Sequence, residues 1–139
     1  MPWGNATWGQ GVIYDCFAFY NELEILDIRL HELAPIVDKF VIVEASKTFQ
    51  GKPKPFNYEQ NKERFKAFHD KIIYVPFDFP DILNNEFARK YDQTWAREYH
   101  QRDQIDLGLE GAGPDDLIIV SDIDEIPSAR KLEEALSQR

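Results

Sequence analysis

Cysteine is all but missing from this sequence: Cys16 stands alone. An intrachain disulfide is thereby excluded, and a reducing compartment is permitted. No apolar run approaches the ~20 residues that a membrane-spanning helix needs. The opening stretch, Met1 to Gln10, has neither a basic region nor an apolar core, so it does not read as a secretory signal. Together these absences predict a cytoplasmic chain. Asn5-Ala6-Thr7 matches a glycosylation sequon, which without a signal is read as chance. Positive charge is also in short supply, with 16 Lys and Arg against 25 Asp and Glu and a formal net charge of -9. That balance excludes nucleic-acid binding through a basic face. A phosphate-bearing ligand would have to be met by a metal ion or by a few placed cations.

What is present is enough for one folded domain. The 139 residues are 43% hydrophobic and 14% aromatic, a composition that buries a core. Met1 to Gly11, rich in Gly and Trp, shows no periodicity and reads as an irregular arm. The domain proper runs from 12 to 139. Strands are expected near 12–18, 39–44, 71–77 and 116–121. Between the first two, Leu23, Leu26, Leu30 and Leu33 recur on one helical stripe, with Ile25 and Ile28 widening it. A short helix is expected from Tyr58 to Phe68, with Phe65 and Phe68 buried. After a link at Pro80 to Asn85, a long helix is expected from Glu86 to Leu107, in which Phe87, Tyr91, Trp95 and Tyr99 recur at four-residue spacing, with Trp95 and Tyr99 read as core rather than as sugar-stacking rings. Strands alternating with helices predict an α/β protein with a largely parallel sheet.

The stretch Leu117-Ile118-Ile119-Val120-Ser121-Asp122-Ile123-Asp124-Glu125-Ile126-Pro127 organises the rest. Its β-branched run, entered through Gly113-Pro114, predicts a central strand buried on both faces. Asp122 and Asp124 are two apart, so an extended backbone would project both to one side. Hard oxygen ligands at the carboxyl end of a buried strand suit Mg²⁺ or Mn²⁺, with a diphosphate completing the shell. The plainer reading makes them solvated strand-end residues before a short helix that starts at Glu125 or Ser128 and runs through Ala129, Leu132 and Leu136. Glu44 and Asp78 follow two other predicted strands. A parallel sheet would bring both to the same edge as Asp122.

Several blocks, in order, resemble glycosyltransferase family 17, the family of β-1,4-mannosyl-glycoprotein 4-β-N-acetylglucosaminyltransferases. They are Phe17 to Leu30, Val37 to Glu44, Thr48-Phe49-Gln50-Gly51-Lys52-Pro53-Lys54-Pro55, Trp95-Ala96-Arg97-Glu98 with Gln101-Arg102, and Ser121 to Pro127. The resemblance covers roughly Tyr14 to Ala129. It implies a GT-A-like, Rossmann-like nucleotide-sugar fold, UDP-N-acetylglucosamine as donor, a glycan acceptor and Mn²⁺ (or Mg²⁺) at the Asp-x-Asp. The animal enzymes of that family carry a membrane anchor and work in the Golgi lumen. Their domains continue past the Asp-x-Asp, so the chain is expected to be the donor half.

Under that resemblance Asp122 and Asp124 hold the metal, and Asp122 also serves the nucleotide sugar. Glu44 and Asp78 either accept hydrogen bonds from uracil or ribose or are surface carboxylates. Arg97 is a candidate phosphate clamp, its planar fork matching an oxyanion. Arg102 either does the same or pairs with Glu98 one helical turn back. Lys52 and Lys54 either reach a diphosphate or are solvated. No catalytic base is assigned. Two rivals are a haloacid-dehalogenase-type phosphatase, which also ends an apolar strand in Asp-x-Asp, and a non-catalytic nucleotide-sugar-binding fragment. Against the phosphatase stands the motif's position, late in the chain and followed by Ile126 where Thr or Val is usual.

Overall fold

A computed structural model of the protein describes residues 11–79 and 92–137. The expected arm at Met1 to Gln10, the Pro80 to Asn85 link, and Phe87 and Tyr91 lie outside the described residues. In chain order the elements are β1 (Ile13–Ala18), α1 (Leu23–Leu33), β2 (Lys39–Ala45), α2 (Asn57–Asn61) with a 3₁₀ segment (Lys62–Lys71), β3 (Ile72–Phe77), α3 (Gln93–Asp103), α4 (Ile105–Gly108), β4 (Leu117–Val120) and α5 (Ala129–Ser137). β1, β3 and β4 lie within the expected bounds, β2 runs one residue past its expected end to Ala45, and the helix after β1 forms where its stripe predicts it. The 58–68 helix kinks into 3₁₀ turns around Phe65, whose backbone leaves helical values while its ring stays buried. The expected long helix breaks at Gln104, which ends α3 and opens α4.

All strand pairs are parallel, and the strand order is β3-β2-β1-β4. The chain steps outward from β1 through β2 to β3, then returns to lay β4 on the other side of β1. The carboxyl ends of β1 and β4 are therefore neighbours at the point where the strand order reverses. Open α/β sheets bind ligands in the crevice at such a switch point.

Two layers close over the sheet. On one face Ile13, Phe17, Phe40 and Ile42 pack against Leu26, Leu30 and Leu33 of α1, with Leu136 of α5 joining the cluster. On the other, Cys16, Val41, Val43 and Val75 meet Ile105 of α4. The approach of α4 is close enough to dictate a residue type. A Cβ on Gly108 would lie 2.4 Å from the Val41 side chain, so only glycine fits.

Three expectations need correction. Among the described residues β4 is an edge strand rather than the centre of the sheet, and Ile118 and Val120 are 42% and 55% exposed. The reason is coverage. The cluster on that face gathers α4 over β1, β2 and β3, so only Leu117 and Ile119, on the α1 side of β4, are partly buried. Ile28 does not widen the buried stripe of α1; it faces out, and Arg29 takes the buried position beside it. Trp95 and Tyr99 are exposed rather than core, while Ala96 and Gln101 of the same helix are buried.

Candidate functional site

The acidic loop is built around a buried residue between its two aspartates. Ile123 is 5% exposed and belongs to the α1-side core. The backbone turns there, with the Glu125 N–H donating to the Asp122 carbonyl at 2.9 Å. Glu125 also accepts a hydrogen bond from the Asp122 N–H through Oε1 at 2.8 Å, so its carboxylate closes the turn. The expected extended Asp-x-Asp is thus a turn. Sinking Ile123 into the core leaves Asp122 and Asp124 exposed on either side of it, and both line one pocket. Neither carboxylate forms a hydrogen bond or ion pair among the described residues.

What holds the turn is Arg29, which sequence reasoning missed. It is fully buried and grips Asp15 of β1 through two bonds, Nε to Oδ2 at 2.8 Å and Nη2 to Oδ1 at 2.6 Å. Its remaining N–H groups all go to the acidic loop. Nη1 donates to the carbonyls of Asp122 (2.8 Å), Ile123 (3.2 Å) and Glu125 (3.1 Å), and Nη2 donates to Ser121 Oγ (2.7 Å). The guanidinium also lies 4.7 Å above the Phe17 ring. A rigid fork with five donors suits this task, and a lysine would not reproduce it. The one available signal was a polar residue breaking the apolar stripe of α1, with a second, Asp15, inside the first strand.

The pocket has a volume of about 430 Å³ and sits at the carboxyl ends of the strands. Ala18, Phe19 and Tyr20 follow from β1, and Asp122 to Asp124 follow β4, so it occupies the switch-point crevice. The Lys47–Gln50 turn after β2 contributes a third wall, and Glu98, Gln101 and Arg102 of α3 contribute a fourth. Lys47 and Arg102 are the cations that open on it. Lys47 is 3.9 Å from Asp78, and Arg102 makes the helix pair with Glu98 at 3.8 Å. Lys54 also lines it, but the Nζ hydrogens are committed to Glu44 Oε2 (2.8 Å) and to the Ala45 and Pro55 carbonyls (both 2.9 Å). Lys52 is exposed and outside the lining residues.

The other named residues sit at the same edge in different roles. Glu44 is fully buried, and four donors occupy its two oxygens: Lys54 Nζ, the Asn57 N–H (2.6 Å), the Tyr58 N–H (3.0 Å) and the Tyr74 hydroxyl (2.8 Å). It fixes the start of α2 and does not line the pocket. Burial, and then the hydrogen bond to Glu44, push the Tyr74 phenol well above its ordinary range. Asp78 accepts from Ser46 Oγ, is largely exposed, and also lies outside the lining. Arg97 donates to the Phe49 carbonyl at 2.6 Å and lies beneath Gly51, whose φ of +87° and 2.9 Å clearance from that guanidinium favour glycine. It supports the 48–51 turn from below, and its Nε is buried without a partner among the described residues.

Two exposed carboxylates are hard oxygen donors that fit Mg²⁺ or Mn²⁺. Among the described residues no third His, Cys, Asp or Glu completes a ligand group. The remaining ligand positions would therefore fall to water or to oxygens of a bound molecule.

Comparison with known proteins bears on the family of the chain. The model of "Glycosyltransferase family 17" matches residues 2–136. The chain is 32% identical over 111 residues to β-1,4-mannosyl-glycoprotein 4-β-N-acetylglucosaminyltransferase of Homo sapiens, and equally so to that of Rattus norvegicus. Each alignment takes in 78% of this chain and 20% of the relative, so the chain spans about a fifth of those proteins. No solved structure matches it. With family model, relatives and sheet topology in agreement, the chain belongs to glycosyltransferase family 17.

Proposed function

We propose that this chain forms the donor side of an N-acetylglucosaminyltransferase, binding a uridine diphosphate sugar with a divalent cation at Asp122 and Asp124. One observation carries the reading. Two carboxylates without partners among the described residues share a switch-point pocket with Lys47 and Arg102 in a chain of net charge -9. Without a cation the aspartates would repel a diphosphate. With Mn²⁺ or Mg²⁺ present they become ligands and the sign of the interaction reverses. When bound, the cation supplies positive charge against the diphosphate and stabilises the departing nucleotide.

The chain's own residues then divide the work. Asp122 and Asp124 bind the cation from one turn, and Arg29 fixes that turn by its carbonyls. Arg102 and Lys47 add positive charge on other walls of the pocket. Arg97 holds the 48–51 turn that forms one of those walls. The acceptor is a glycan, as the names of the relatives suggest, and no described residue is assigned as the base.

Calorimetric titration of UDP with and without Mn²⁺ tests the reading. UDP is expected to bind in the presence of Mn²⁺ and to weaken sharply in its absence. Equal affinity in both conditions would remove the metal role.

A further inference from the structure

Gln101 is 7% exposed, and the little of it that remains accessible opens on the pocket. Among the described residues no side-chain hydrogen bond uses its amide. Its amide nitrogen and oxygen are not among the buried, unpartnered atoms, so they reach the pocket space and can be met there by water or by a ligand. The group keeps a donor and an acceptor side by side on the wall of a ligand-sized cavity. From the same helix Arg102 and Glu98 pair with each other, so neither supplies the missing partner.

The sheet fixes how far Gln101's wall lies from the acidic turn. Asp122 and Asp124 follow β4. The helix that carries Gln101 packs at the other end, where Ala96 of α3 meets Ala45 at the end of β2 and the Lys47–Gln50 turn follows that strand. Strand β1 lies between, so the two ends are two strand spacings apart, roughly 10 Å. That span suits a nucleoside whose diphosphate rests at the acidic turn. The two ends of a nucleotide sugar have different needs. The transferred sugar must stay open to an acceptor, whereas the base takes no part in the reaction and can be enclosed. We infer that Gln101 reads the imide edge of the nucleobase, its carbonyl accepting from the base N–H and its NH₂ donating to the adjacent base carbonyl. Gln101 is then a specificity residue for the nucleotide. This inference rests on the donor-site reading above.

The test uses UDP and its N3-methyl analogue, which keeps ribose and diphosphate but cannot donate from the base. Both are titrated by calorimetry in Mn²⁺ against the parent chain and Gln101→Met, a variant of similar size without the amide. The parent is expected to prefer UDP by about tenfold, equivalent to ~1.4 kcal/mol. In Gln101→Met the preference should fall to about one. This pair of ligands and variants forms a double-mutant cycle, so ribose and phosphate contacts cancel. A parent chain that binds both ligands equally would overturn the inference while leaving the donor site standing. The same holds for a Gln101→Met variant that keeps the preference. A parent that binds neither would overturn the donor-site reading, and this inference with it. The parent comparison needs no variant, so the inference can fail even if Gln101→Met does not fold.

Discussion

Strands β2 and β4 run parallel, end at the same edge of the sheet and end in carboxylates, yet they treat those carboxylates in opposite ways. β2 is flanked by strands on both sides, and all but its first residue are buried. Its Glu44 is correspondingly enclosed, with a donor for each of four lone-pair directions. β4 has a neighbour on one side only among the described residues. Its Asp122 and Asp124 are exposed, and the turn that carries them is satisfied through its backbone by Arg29. The difference marks where, among the described residues, this fold leaves carboxylate oxygens uncommitted. A carboxylate whose hydrogen bonds are complete holds structure together. A carboxylate on a turn braced by another residue is left with its oxygens for a ligand.

The largest effect should come from breaking the β2 side. Glu44→Gln keeps the shape but removes the charge that faces the Lys54 ammonium. It also turns an NH₂ towards groups that are themselves donors. Loss of one partner from a buried pair costs about 3–5 kcal/mol, so the urea midpoint should drop steeply. A variant as stable as the parent would show that Glu44 is not the structural carboxylate its contacts imply. On the β4 side, Asp124→Asn should change stability by no more than ~0.5 kcal/mol, as for other exposed positions. It should nonetheless weaken Mn²⁺-dependent UDP binding roughly 10- to 100-fold. If instead Asp124→Asn destabilises the chain and leaves binding intact, the contrast between the two strand ends collapses.

Much of this was readable in the residues. The alternation of apolar runs and helical stripes set the four strands and α1, and the parallel order followed from their spacing. The Asp-x-Asp after an apolar run, and the blocks shared with family 17, pointed to the edge where the pocket lies. The centrality of β4 was not readable. Leu117 to Val120 looks the same on an edge as in a centre, because a run of four apolar residues says nothing about what covers its second face. Glu44 and Asp122 were equally opaque, since each is a carboxylate after a strand. What separates them is the set of donors that Lys54, Asn57, Tyr58 and Tyr74 bring from elsewhere in the chain. Arg29 stayed hidden for the same reason: its partners are carbonyls some 93 to 96 residues away.

Alkaline pH should weaken the β1–β2–β3 side of the contrast. Burial pushes the Cys16 thiol up to about 12 from an ordinary value of 9.0, with Asp15 adding to the shift and Arg29 opposing it. Tyr74 shifts in the same direction, from burial first and then its bond to Glu44. The folded state therefore holds protons that the unfolded chain releases. Stability from these groups is fully present below about pH 9 and is lost as pH climbs towards 12. Urea midpoints should fall between pH 8 and pH 10.5, and the fall should be shallower in Cys16→Ala. A midpoint that is flat over this range would contradict the assignment.

The smallest effect isolates the strands from their carboxylates. Val43 of β2 and Val120 of β4 lie on the same face of the sheet, at 0% and 55% exposure, so one substitution can be made in both. Val→Thr is nearly constant in shape and adds a hydroxyl. At Val43 that hydroxyl enters an apolar cluster with Cys16, Val41 and Val75, where an unpaired polar group costs about 1–3 kcal/mol. At Val120 it meets solvent, and the β-branched shape that favours a strand is retained. The expected change there is within ~0.5 kcal/mol. Denaturation of the two single variants measures the difference in coverage directly, because backbone propensity is the same in both. Equal losses would mean that β4 is covered on this face as fully as β2, and the edge placement would be wrong. A loss confined to Val43→Thr would leave β4 as the open side of the sheet, the side that carries the acidic turn.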